Sequence, residues 1–174
     1  SMDGLSQAGM GVDLADVNLD GITDIYVCNF AQELNALYRG EKDGHFVEAS
    51  VRSRLGATFV PLSFGVHVVD LDLDGDPDIV TANGHINDLV EQTDPGGGST
   101  YRQRPSLYLN RGDGLFDDGS AAAGVPFRDA YVGRALARSD FDEDGDVDLA
   151  MMTIDRSVVL FRNENPERNR SLVI

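Results

Sequence analysis

Apolar residues in this chain occur in short runs, not in long or helically spaced ones. Examples are the runs at 65–69, 78–82, 106–110 and 157–162, which are rich in Val, Ile, Leu and Tyr. Gly, Asp and Asn bound these runs, and this pattern is typical of β-strands separated by turns. No stretch sustains a 3.6-residue apolar period with helix caps. The pattern therefore predicts an all-β protein.

The predicted strands recur in three units. Each unit carries a nine-residue Asp-rich window, at 16–24, 70–78 and 140–148, and the windows begin 54 and then 70 residues apart. Each window lies between two predicted strands and is followed by a matching apolar segment that ends in Gly or Asn. About four strands per unit, repeated every 50–70 residues, favour propeller blades over a solenoid. We therefore predict three four-stranded blades that form a partial propeller.

The repeat also predicts the division of the chain. Blade one is expected at 3–56, blade two at 57–125 and blade three at 126–174. The extra length of blade two lies at 84–105, where the Gly-rich stretch 94–99 predicts a flexible surface excursion. Two Asp-Gly pairs, at 43–44 and 113–114, are predicted to form two-residue hairpin turns, because Asp and Gly tolerate positive φ.

The chain ends suggest a piece of a longer protein. Ser1 and Met2 look like an expression scar, and 169–174 reads as either the last strand of blade three or the opening strand of a following domain. Propellers close with about four to eight blades, so an arc of three would expose two apolar blade faces. We expect the remaining blades of a parent propeller, or a head-to-tail second copy that makes six blades, to cover those faces.

Composition narrows the choice of partners. The 174 residues include 14 Lys+Arg and 30 Asp+Glu, which gives a net charge of −16. The three windows hold 14 of those acidic residues, and outside them 16 acids nearly balance 14 bases. So acidic a chain argues against nucleic acid as a partner, and no apolar run approaches the roughly 20 residues of a membrane span. The single cysteine, Cys28, excludes an intrachain disulfide and a Cys-based zinc site, and is predicted to be buried in a strand.

The windows share the pattern D-x-D/N-x-D-G-x-x-D. Side-chain oxygens occur at loop positions one, three, five and nine, and the glycine at position six permits a sharp turn. Carboxylates this close repel one another unless a hard cation lies among them. With the main-chain carbonyl of position seven the set offers about six oxygens, which suits Ca²⁺ better than Mg²⁺.

Three calcium sites are therefore predicted. The ligands would be Asp16, Asn18, Asp20, Asp24 and the carbonyl of Ile22 in the first loop; Asp70, Asp72, Asp74, Asp78 and the carbonyl of Asp76 in the second; and Asp140, Asp142, Asp144, Asp148 and the carbonyl of Asp146 in the third. An EF-hand is excluded, because its twelfth position needs a Glu and its flanks need helices. Here that position holds Val27, Thr81 and Met151. The remaining alternative is an Asp-rich turn without metal, and three copies in one register favour calcium over it.

These residues resemble a known family. The strand–Asp loop–strand run, followed by Leu-Tyr-x-Asn at 107–110 and Gly-Asp-Gly-x-Phe at 112–116, is similar to the FG-GAP/VCBS repeat of calcium-binding β-propellers. The segments 82–85 and 160–165 resemble the ASPIC/UnbV group, which includes cartilage acidic protein and enediyne-biosynthesis proteins, and in which a C-terminal domain follows the last blades. This chain departs from the pattern at Asn18, Thr23 and Gly40, so the first site, with three carboxylates, is expected to be weaker.

The function expected from these observations is a calcium-stabilised interaction scaffold whose ligand is a protein, a glycan or a small molecule. Millimolar extracellular Ca²⁺ would fill weak sites, which favours a secreted, periplasmic or surface location. The alternative is a biosynthetic or carbohydrate-acting enzyme, cytoplasmic if biosynthetic, with a site at 84–105 that uses His85, Tyr101 or Arg104. No nucleophile elbow or phosphate-binding glycine loop supports it. A third hypothesis is adhesion through the Arg-Gly-Asp sequence at 111–113.

Overall fold

The computed structural model describes residues 6–164, and within them the fold is nearly all β. Three antiparallel sheets follow one another along the chain. Sheet one contains β1 (Val12–Ala15), β2 (Asp24–Val27), β3 (Ala36–Gly40) and β4 (Phe46–Glu48). Sheet two contains β5 (Ser63–Val69), β6 (Asp78–Asn83), β7 (Ser106–Asn110) and β8 (Phe116–Asp118), and sheet three contains β9 (Gly133–Ser139), β10 (Asp148–Thr153) and β11 (Val159–Phe161).

Within each sheet the strands are paired in chain order, as expected for propeller-like blades. Short helices connect the sheets: a 3₁₀ turn at Leu55–Phe59 precedes sheet two, and another at Val125–Arg128 precedes sheet three. The predicted all-β class is confirmed. The stretch 169–174, predicted to be a last strand or the start of a further domain, lies outside the described residues. No helix of the described residues is long and apolar enough to cross a membrane.

Strand β6 shows how the sheets stack. All six of its residues are buried, because sheets one and three cover its two faces. Alternate side chains point to opposite faces of a strand, so Ile79 packs in the core cluster shared with sheet one, while Val80 packs in the cluster shared with sheet three. The first strands β1, β5 and β9 lie side by side. Cys28, directly after β2, is buried in the first cluster, as predicted.

The outer faces of the stack are apolar and open. On β1, Val12 and Leu14 are 61% and 57% exposed, while at the other end Met152 and Leu160 are 56% and 66% exposed. These side chains alternate with residues that point into the stack, such as Met151, which is fully buried. Each end of the described stack therefore presents the kind of surface that blades inside it bury.

The hairpin turns differ from the prediction. Glu41 donates its amide proton to the carbonyl of His45 at 2.8 Å, so the loop between these two residues contains three residues and not two. Only Gly44 in it has a positive φ, of 83°. The Asp43 carboxylate instead accepts a hydrogen bond from the His45 amide at 3.1 Å. The hairpin at 113–114 also has three residues between Arg111 and Leu115, but two of them, Gly112 and Gly114, have a positive φ, of 84° and 70°.

Within the 84–105 insertion, the stretch 94–98 is largely exposed, as expected of a surface excursion, and its flexibility stays a prediction. Other residues of the insertion pack against the neighbouring units. It contains a short helix, Val90–Thr93, and its Ser99 and Gln103 are buried. The Gln103 amide group donates to Ser99 Oγ at 2.7 Å and accepts from the Leu62 amide at 2.9 Å. Arg102 forms an ion pair with Asp155 at 3.1 Å. Satisfied polar groups thus anchor the end of the insertion, after the Gly-rich stretch.

Candidate metal centres

The three Asp loops have the same internal hydrogen bonds. In the second loop, Asp70 at position one accepts from the amides of Asp74 and Gly75 at 3.1 and 3.0 Å. The first and third loops repeat both bonds. The backbone bends sharply, because position four has φ of 56–62° in every loop and the glycine at position six has φ of 84–99°. Such values favour glycine at position six, and each loop folds its backbone around the first carboxylate.

The ninth-position aspartate ties each loop to the third strand of its sheet. Asp78 is 1% exposed, and its two carboxylate oxygens accept from the amides of Leu71 and Asn110 at 3.0 and 2.8 Å. Asp24 and Asp148 make the equivalent pairs of bonds. This carboxylate therefore has a structural role of its own, while its oxygens keep lone pairs for a cation.

Two of the loops bring three predicted carboxylates together. One oxygen each of Asp70, Asp72 and Asp78 lies within 4.8 Å of the others, and Asp140, Asp142 and Asp148 form the same arrangement. These groups contain positions one, three and nine. They do not include the fifth-position residues Asp74 and Asp144, which accept from the seventh-position amides at 2.9 and 3.0 Å. The carbonyl ligands assigned to Asp76 and Asp146 stay predictions.

The first loop differs at position three. Asn18 donates from its amide nitrogen to Asp20 at 2.8 Å, and Asp20 also accepts from the Ile22 amide. Among the described residues, Asp16, Asp20 and Asp24 form no three-carboxylate group like the other two. The Asn18 side-chain oxygen is nevertheless buried and accepts no hydrogen bond. A buried acceptor without a donor is costly, and a cation beside it would supply the missing partner. The carbonyl ligand assigned to Ile22 also stays a prediction.

The electrostatics of the second loop fit the same chemistry. Burial raises the pKa of Asp78 to about 7, and the like charges of Asp72 and Asp74 add to the effect. Burial, then the neighbouring Asp74, also raises the pKa of Asp72. Carboxylates that resist ionisation together are stabilised by a divalent ion among them. The oxygen-only donor set fits a hard cation such as Ca²⁺.

The loops differ in their basic neighbours. At the third loop, Arg162 lies 2.6 Å from Asp142 and 3.9 Å from Asp144. At the first loop, Arg39 lowers the pKa of Asp24, against the stronger effect of burial. Leu109 occupies the corresponding place in the second unit, between Tyr108 and Asn110. The second loop therefore has no guanidinium at this place, although both of its counterparts do. It has an aspartate at all of its predicted positions.

Sequence reasoning missed the role of the Asn that ends the Leu-Tyr-x-Asn segment. Asn110 donates to the carbonyl of Val17 at 2.8 Å, and Asn163 donates to that of Leu71 at 2.7 Å. Each asparagine thus binds position two of the Asp loop in the preceding unit. Gly40 replaces it in the first unit, where a Cβ would lie 2.6 Å from the Thr23 carbonyl oxygen. The recurrence of Asn at this position was the available signal.

Two of the residues proposed for an enzymatic site, His85 and Tyr101, are adjacent, because the His85 amide donates to the Tyr101 carbonyl at 2.9 Å. His85 is buried, accepts from the Asn87 amide at 3.0 Å and packs edge-on against Phe30. Arg104 lines a cleft whose lining residues include neither His85 nor Tyr101. In the Arg-Gly-Asp hairpin, Arg39 donates to the carbonyl of Asp113 at 2.9 Å, so this tip is tethered to sheet one.

Comparison with known proteins supports the repeat. The family model described as FG-GAP-like repeat matches residues 16–81, a range that begins at the first Asp loop, includes the second and ends within β6. No curated protein matches the chain. The match therefore supports an FG-GAP repeat across two of the three loops. This agrees with the structure, in which each of these loops joins two antiparallel strands of one sheet.

Proposed function

We propose that the chain is a calcium-stabilised set of propeller-like blades that serves as an interaction scaffold. The observation that carries this proposal is the repeated cluster of three carboxylates, Asp70, Asp72 and Asp78 in one loop and their counterparts in another, within 4.8 Å of one another. The FG-GAP-like match across the first two loops supports it. The first loop joins the set as a third site through the unpartnered oxygen of Asn18.

Calcium would act structurally in this proposal. It would offset the repulsion among the clustered carboxylates and hold the sharp loop between the first two strands of each sheet. A ligand present at 100 times its dissociation constant adds about 2.7 kcal/mol of stability per site. Since domains are stable by only about 5–15 kcal/mol, the occupied sites would decide whether the stack stays folded.

The scaffold role is proposed because the side chains considered for catalysis already have other contacts. The clustered carboxylates are committed to loop amides and to the proposed ions, and the histidine singled out for catalysis is buried against Phe30.

The ASPIC/UnbV resemblance at 82–85 and 160–165 makes that group the proposed subfamily. An extracellular or periplasmic location follows from the calcium proposal, because weak sites need millimolar ion.

The test is thermal unfolding of the protein in chelator, followed by addition of millimolar Ca²⁺ or Mg²⁺. We expect a rise in the midpoint with Ca²⁺ and a much smaller rise with Mg²⁺, which demands tighter octahedral geometry and keeps more water. An equal volume of NaCl at matched ionic strength controls for general screening. No specific rise with Ca²⁺ would mean that the loops are solvated turns, and the proposal would fail.

A further inference from the structure

A cleft of about 700 Å³ lies beside sheet two, away from the Asp loops. Its walls come from the connection into sheet two, the end of the 84–105 insertion and the connection into sheet three. Strand β7 enters the cleft at Ser106, which pairs with Thr81 near the far end of β6 from the Asp loop. The cleft is therefore separate from the candidate metal centres. Its volume is within the range of sites for small organic ligands.

Three guanidinium groups line this cleft. They belong to Arg102 and Arg104 of the insertion and to Arg128 of the connection into sheet three. Arg102 is paired with Asp155. Arg104 and Arg128 are exposed, and within residues 6–164 neither forms an ion pair. One carboxylate, that of Asp118, also lines the cleft.

This concentration of positive charge is unusual for a chain with a net charge of −16. Of the other arginines in residues 6–164, all but the exposed Arg52 are engaged: Arg54, Arg111, Arg156 and Arg162 pair with carboxylates, and Arg39, Arg134 and Arg138 donate to main-chain carbonyls. Two arginines without such partners thus face the same cavity. Since charges of one sign repel each other, an anion bound in this cleft would offset the charge of both guanidinium groups.

The other polar groups of the cleft are already in use. Ser99 accepts from Gln103, Ser106 accepts from Asn83, and Ser120 donates to the carbonyl of Leu107. The aromatic residues Tyr108 and Phe127 add apolar wall. Among the charged groups of the cleft, the donors without an ion-pair partner in residues 6–164 are the guanidinium groups of Arg104 and Arg128, whose planar forks match the paired oxygens of a carboxylate, sulfate or phosphate.

We propose that this cleft binds a small organic molecule that carries one such oxyanion beside an apolar ring. Arg104 and Arg128 bind the oxyanion, Arg102 contributes from its pair with Asp155, and the ring lies against the apolar wall. The inference goes beyond the scaffold function and does not depend on calcium at the Asp loops, since the two sites share no residue.

The test is calorimetric titration of the Ca²⁺-equilibrated protein with benzoate, phenyl sulfate and phenyl phosphate, with benzyl alcohol as the neutral probe. We expect at least one anion to bind ten times more tightly than benzyl alcohol, and the strongest of the three identifies the oxyanion. Arg104→Gln and Arg128→Gln should each weaken that binding about tenfold. Arg52→Gln is the matched control, because Arg52 is exposed and lies outside the cleft.

Thermal unfolding of each variant with and without Ca²⁺ separates this proposal from the calcium proposal. A variant with an unchanged midpoint and calcium response is folded, so its loss of anion binding reports on the cleft. The proposal is overturned if every anion has a dissociation constant above about 10 mM, which is weaker than a specific site would give. It is also overturned if Arg52→Gln weakens binding as much as Arg104→Gln. Equal affinity for benzyl alcohol and the anions would also overturn it.

Discussion

The substitution Asp72→Asn should stabilise the protein without calcium and reduce the stability that calcium adds. Asparagine occupies this loop position naturally in the first repeat, as Asn18, so the loop geometry accepts it. The side-chain oxygen can still accept from the Asp74 amide, as Asp72 does at 3.3 Å. The change therefore removes one negative charge while it keeps the local hydrogen bond.

The expected magnitudes follow from the cluster geometry. Asp72 has carboxylate neighbours within 4.8 Å, and at such distances repulsion in a water-like dielectric is about 1 kcal/mol per pair. Without metal, the variant should gain about 1 kcal/mol, or roughly 2–4 °C in midpoint for a chain of this size. Loss of one charged ligand should weaken calcium binding about tenfold, which reduces the stability that a fixed calcium concentration adds by about 1.4 kcal/mol.

The assay is thermal unfolding followed by circular dichroism, in chelator and in millimolar Ca²⁺. Asp43→Asn is the matched control, because Asp43 also accepts from a nearby amide through one oxygen but lies in a hairpin outside the Asp loops. The control should respond to calcium as the unchanged protein does. If Asp72→Asn shows the same calcium-induced rise as the control, Asp72 is not a ligand and the reasoning about this cluster is refuted.

Three further predictions follow from other contacts. Asn110→Ala should cost about 3 kcal/mol, measured by urea unfolding, because Val17 and Pro77 lose a buried donor; a cost under about 0.5 kcal/mol would contradict this. Arg162→Leu, which copies Leu109, should make the third loop more dependent on calcium, so its midpoint in chelator should fall further than its midpoint in calcium; equal falls would count against the idea. Light scattering of the unsubstituted protein should give a mass above 18.8 kDa, and Leu14→Asp, which places a charge on an exposed outer face, should lower it. A monomer before substitution would show that the exposed faces need no partner.

The Asp loops were predictable because their information is local. Spacing alone puts carboxylates at alternate positions and glycine where the backbone needs a positive φ, and the structure gathers Asp70, Asp72 and Asp78 accordingly. The all-β class was predictable for the same reason, since short apolar runs between turn residues specify strands. The sequence also predicts the fifth-position residues as ligands, but Asp74 lies outside the three-carboxylate group and accepts from the Asp76 amide.

The features that escaped prediction depend on long-range contacts. Asn110 and Val17 are 93 positions apart, and nothing in either segment specifies that they meet. The insertion is held by Gln103, whose partners in sequence lie as far away as Leu62. The Gly-rich composition predicted a surface location for 94–98, which the structure shows, but it gave no sign of this anchor. The arginine-lined cleft likewise depends on three segments that come together only in the folded chain.

The bonds from Asn110 to Val17 and from Asn163 to Leu71 make the first and second Asp loops docking points for the unit that follows each of them. An ion that orders one loop would therefore also order the carbonyl that receives the following unit. In repeat proteins, stability is approximately a sum of unit and nearest-neighbour terms, and here the neighbour term would contain the metal. Calcium would then couple neighbouring units in one direction, because the order that it imposes on a loop would extend to the unit that follows that loop in the chain.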